Sequence, residues 1–171
     1  MNDTECPLFF GKYRGKVENP ADLKGLGRIQ VSVPDVLGDG KMAWAMPCLP
    51  GAGPSVGFYA IPPKDAKVWV EFERGDPDYP IWSGGYWDEG KAPAPPGPTG
   101  FMTKVWKGEN FSLEILDMPG ATKMTLTVKT ASGEAKIEAA PAGMTISFGA
   151  ASVKLAMDGV SINGSNLKVL P

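Results

Sequence analysis

The chain has 171 residues, a formal net charge of -2 and no histidine. That balance offers no basic stripe for nucleic acid, and it removes the commonest general base and the commonest metal ligand. No run of 18 apolar residues is present, so a membrane-spanning helix is not expected. Gly (22) and Pro (17) are abundant, and with alternating apolar runs they point to an all-β chain rich in turns.

Residues 1–10 read as a short leader. The start Met1-Asn2-Asp3-Thr4-Glu5-Cys6 lacks the basic and apolar regions of a secretory signal. Residues 11–89 form a mixed β region with five strand candidates: Tyr13–Glu18, Gly27–Val33, Ala43–Cys48, Lys67–Phe72 and Ile81–Tyr86. Five short strands without an amphipathic helix suggest a small closed barrel of the five-stranded Greek-key kind. Its expected core is Val17, Ile29, Val31, Val68, Val70, Phe72 and Ile81. The prolines of this region fall at strand ends or in loops, where a missing N–H is tolerated. Residues 90–100, rich in Pro and Gly, read as a semi-rigid linker.

From 101 to 171 the pattern has a period of two. Met124, Leu126 and Val128 alternate with Thr125, Thr127 and Lys129, and the beat recurs through Leu167 and Val169. Alternation sends every apolar side chain of a strand to one face. Ser132-Gly133, Pro141-Ala142-Gly143, Gly149, Asp158-Gly159 and Asn163-Gly164 supply tight reversals between the runs. No helix follows to cover the apolar face, and one sheet with a bare apolar face is not stable alone. The economical repair is burial against copies of the same chain. The expected core of such a trimer is Leu126, Val128, Ile137, Met144, Ile146, Phe148, Val153, Leu155, Met157, Ile162, Leu167 and Val169. Thr125, Thr127, Lys136, Thr145, Ser147, Lys154, Ser161 and Lys168 are expected to face outward, and backbone groups are expected to pair between chains. Seven strand levels at about 4.8 Å give a needle on the order of 30–35 Å long.

Several features invite a chemical reading and have a plainer one. Gly75-Asp76-Pro77-Asp78 lacks the distal bidentate Glu of a calcium loop and reads as a β-turn. Trp44, Trp69, Trp82, Trp87, Tyr59, Tyr79 and Tyr86 could stack bases or sugars, but they serve equally as barrel core and subunit contacts. Glu71 and Glu73 share a face of the fourth strand, as the carboxylates of a glycosidase could, yet such pairs are common on solvated faces. Cys6 and Cys48 read as two reduced thiols, the second buried as a small hydrophobe; two thiolates alone do not make a zinc site. Met124, Met144 and Met157 read as gap-filling core residues. The glycines form no phosphate-binding fingerprint, since no strand–turn–helix unit is present. No catalytic residue, cofactor or metal ligand is expected.

Motifs in order carry a resemblance. They are Tyr13-Arg14-Gly15-Lys16-Val17, Gly27-Arg28-Ile29-Gln30-Val31, Gly57-Phe58-Tyr59-Ala60-Ile61-Pro62-Pro63, Val68-Trp69-Val70-Glu71-Phe72 and Gly75-Asp76-Pro77-Asp78-Tyr79-Pro80-Ile81-Trp82-Ser83-Gly84. This stretch resembles the OB-fold domain of central spike proteins in contractile phages, type VI secretion spikes and extracellular injection systems. Phe111–Asp117 followed by Met118-Pro119-Gly120 resembles the start of that family's trimeric triple-stranded β-helix. The resemblance implies a non-enzymatic homotrimer without cofactor, assembled in the cytoplasm and carried in a phage or injection-system baseplate. It implies a separate hub protein at the barrel end, since only about ten residues stand before the barrel. The linker leaves no room for the lysozyme domain that some phage relatives insert. It also implies a tip protein of the Pro-Ala-Ala-Arg repeat class, docked by β-augmentation on Ser165, Asn166, Leu167, Lys168, Val169, Leu170 and Pro171. The target membrane would be touched only in passing. The competing reading from another class is an oligomeric OB-fold module that binds glycan or nucleic acid.

Overall fold

A computed structural model describes residues 7–94, 97–164 and 166–169. The chain divides into two compact units, Met1–Glu89 and Gly90–Pro171. In the first unit β1 (Tyr13–Asn19), β2 (Ile29–Ser32), β3 (Ala43–Pro47), β6 (Lys67–Phe72) and β7 (Pro80–Tyr86) close into a barrel of order β1-β2-β3-β7-β6. All neighbours are antiparallel except β3 and β7. A single helical turn, α1 (Pro34–Leu37), follows β2, and a two-stranded hairpin of β4 (Ala52–Gly53) and β5 (Val56–Gly57) interrupts the passage from β3 to β6. Neither was among the elements expected from the sequence.

The barrel core is Val17, Ile29, Val31, Val33, Ala45, Val68, Val70, Phe72 and Trp82, all buried. Ile81, expected inside, is half-buried, and Trp82 takes the inward place. The pairing explains the exchange: Ile81 sits opposite outward Glu71, and Trp82 opposite inward Val70. Beyond this pair β7 takes three steps, Trp82 to Gly85, against two on β6, Val70 to Val68, a bulge that breaks the alternation past Trp82. The buried indole is satisfied, its Nε1–H donating to the Gly27 carbonyl at 3.2 Å. Cys48, expected inside, is exposed: Ala45 is the inward residue of β3, and the strand ends before the thiol. Cys6 lies outside the described residues.

The second unit is one antiparallel meander of eight strands: β8 (Thr103–Lys107), β9 (Phe111–Leu116), β10 (Lys123–Thr130), β11 (Gly133–Ala140), β12 (Gly143–Phe148), β13 (Ala151–Ala156), β14 (Gly159–Ile162) and β15 (Leu167–Val169). Every strand pairs with its sequence neighbours within the chain. Four two-residue turns, from β10 through β14, favour this, because they fold each strand straight back on the last. β8 is the strand that alternation misses. It puts Lys104 and Trp106 on the apolar side and Val105 on the polar side, which erases the period.

Candidate functional site

The second unit positions its side chains by register alone. Cross-strand partners share a face, so the pairings define rows that run down the sheet. The central row is Trp106, Leu113, Leu126, Ile137, Ile146, Val153, Ile162 and Leu167. Beside it runs Ile115, Met124, Ala139, Met144, Leu155, Val160 and Val169. On the other flank stand Phe111, Val128, Ala135, Phe148 and Ala151. All three rows belong to one face. Among the described residues of this unit none is buried; Phe148 keeps 47% of its surface and Leu167 54%. A continuous apolar face of this size marks an interaction surface.

Eleven of the twelve residues expected in the trimer core stand in these rows. Met157 does not. β13 ends at Ala156, and Met157 occupies the two-residue turn to β14 with 99% of its surface exposed. The alternation Val153, Leu155, Met157 simply runs one step past the strand. The sequence reading also left out Val160, which pairs with Leu155 and Val169 and completes its row.

The opposite face carries Thr125, Glu138, Thr145, Lys154 and Ser161 in one row and Thr127, Lys136, Ser147 and Ser152 in the next. Lys168 pairs with Ser161 through the backbone. Glu138 accepts from Lys136 Nζ at 2.7 Å and Lys123 Nζ at 2.9 Å. These two ammonium groups hold its carboxyl at about 2, below the usual carboxylate range.

Of the residues expected to dock a tip protein, Leu167 and Val169 lie in the apolar rows and Asn166 in the turn before β15. β15 pairs only with β14 among the described residues, which leaves its outer edge open. Ser165, Leu170 and Pro171 fall outside the described residues.

The barrel's polar groups have structural partners. Asp22, whose side chain is 3% exposed, accepts from the backbone N–H groups of Lys24, Leu26 and Arg28 and from the Arg28 guanidinium at 2.7 Å. Arg28 above all, then these N–H groups, hold its carboxyl far below the usual range. Glu71 accepts from Lys12 Nζ at 2.9 Å, and the same ammonium reaches Ser83. Glu73 leaves the strand for a 3-10 turn, so it does not share a strand face with Glu71. Asp76 takes the Asp78 N–H on its own side chain at 3.0 Å, a local turn lock. No cluster of three or more Cys, Asp or Glu side chains able to hold a metal forms among the described residues. The aromatics separate. Trp82 is core, Arg14 lies over Trp69 and Tyr86, Arg28 lies over Trp44, and Tyr59, Tyr79 and Trp87 are exposed singly.

Two family models match. Residues 13–87 match the type VI secretion system/phage-baseplate injector OB domain, and residues 105–168 match the phage baseplate V C-terminal trimerisation domain. No individual curated protein matches the chain. An injector OB domain followed by a trimerisation domain defines a class, the structural components of injection baseplates. Within that class the chain belongs to the phage baseplate V, or spike-protein, family, the two matches together covering most of its length. The second match supports a homotrimer.

Proposed function

We propose that three copies assemble through this face into the central spike of a contractile injection machine. Each sheet would supply one face of a three-sided β-prism, wound about a threefold axis as a trimeric triple-stranded β-helix. The observation that carries the reading is the apolar face, its central row continuous over eight strands, without a buried residue among those described in the single chain. Burying it threefold gives a dry column of interdigitated side chains that cannot rearrange without opening all three chains. Seven spacings of about 4.8 Å make that column about 34 Å long. Stiffness is then the chain's contribution, and no step is catalytic. Sheath contraction supplies the work, and the target envelope meets the spike only in passing.

The barrel end would seat under the tube hub, and the particle would assemble in the cytoplasm. At the other end the open edge of β15, carrying Leu167 and Val169, would accept a strand of a tip protein by β-augmentation. The needle is short for a piercing device, which favours such a cap. Electron microscopy of particles built with a chain lacking residues 166–171 tests this end. Loss of the tip density is the expected result; unchanged tip density and composition would rule out docking there. An Ile146→Asp chain tests the prism itself, since it should leave particles without a central spike.

A further inference from the structure

Each side of the sheet ends differently. The turns Pro141–Ala142 and Met157–Asp158 lie on one side, and Ala131–Ser132 and Gly149–Ala150 on the other. Along that second side runs the flanking row that includes Val128, Phe148 and Ala151. The row stops at β13. β14 ends at Ile162, and Asn163 turns the chain away with φ 48°, locked by its N–H to the Ser152 carbonyl and its Oδ1 to the Ser152 N–H, both at 2.8 Å. Among the described residues the apolar face is therefore notched beneath Ala151. Met157 stands at that same height, between β13 and β14, on the opposite side. The neighbouring two-residue turns use small or polar residues, Ala131-Ser132, Pro141-Ala142 and Gly149-Ala150, whereas Met157 is long, apolar and 99% exposed.

A threefold rotation about an axis running down the rows brings one side of each sheet against the other side of the next, without change of height. We infer that Met157 is a corner clasp: it enters the notch of the adjacent chain beneath Ala151 and supplies the apolar group that the flanking row lacks there. An unbranched thioether suits such an irregular gap. The contact is head-to-tail, so it closes only as a ring. This inference rests on the trimer reading and adds to it which two sides meet and at what level.

The test uses the full chain with Cys6→Ser and Cys48→Ser, carrying Met157→Cys together with Ala150→Cys. Ala150 lies about one strand spacing, roughly 4.8 Å, from the Met157 level; Ala131 lies about three, roughly 14 Å. Oxidation, or a bismaleimide of short span, should convert most of the Met157→Cys/Ala150→Cys chain into covalent dimers and trimers on a denaturing gel. Met157→Cys/Ala131→Cys and Met157→Cys alone should stay monomeric there. Sedimentation of the same samples separates the two readings. A trimer that does not crosslink through the first pair overturns the clasp and leaves the trimer standing. Crosslinking of Met157→Cys alone also overturns it, because that requires like sides to meet. A monomer in sedimentation overturns both.

Discussion

Asp22 organises the loop between β1 and β2. One carboxylate satisfies three backbone N–H groups and a guanidinium while its side chain is almost out of solvent. Asp22→Ala should leave the barrel folded but strip amide-exchange protection from Lys24, Leu26 and Arg28; unchanged protection would show that the loop holds its shape without the clamp. Val70 is different in kind. It is fully buried among Val17, Val31 and Val68, so Val70→Asp puts an unpaired charge in an apolar core, at a cost of about 3–5 kcal/mol. Thermal unfolding monitored by tryptophan fluorescence should show the barrel lost. At this scale the sequence was readable wherever alternation was unbroken, as at Val68, Val70 and Phe72. It misled at Ile81, because alternation separates two faces without saying which turns inward; the pairing with outward Glu71 decides that. It misled again at Met157, since period alone does not mark where a strand stops.

At the scale of the element, the sheet depends on turns that admit close backbones. Gly143 has φ 129°, and a Cβ there would run into the Leu155 carbonyl across the ladder. Gly143→Ala should cost on the order of 1–3 kcal/mol and loosen the β11–β12 hairpin, read as a lower unfolding temperature. The Glu138 triad gives the sheet a pH dependence of definite sign. Its carboxyl lies at about 2 against an ordinary 4.5. The stabilisation is therefore complete above about 4.5 and lost as pH falls through about 2. Glu138→Gln should flatten the acid limb of stability against pH, and high salt should do part of the same, because the group is solvated. An unaltered acid limb in the variant would show that the triad carries no stability. β10 to β15 announce themselves by period and turn chemistry, and β9 through the resemblance. β8 does not, because Val105 sits on the solvated face beside Glu114.

At the scale of the whole molecule, the two units divide the problem of stability differently. The barrel closes on itself and hides its own core. The sheet has a face with nothing of its own to put against it, and so specifies an assembly and not a fold by itself. The need for copies was legible in the sequence as an apolar face with no helix to cover it. That each strand pairs with its sequence neighbours was not, since alternation reports which way side chains point and is silent on which strand lies alongside. The chain is expected to exist only as a trimer held by this face. Sedimentation equilibrium of the full chain from nanomolar to micromolar concentration is the decisive measurement. A single folded species with the mass of three chains is expected, and for Ile146→Asp an unfolded or aggregated sheet. A folded, stable monomer at micromolar concentration would contradict it.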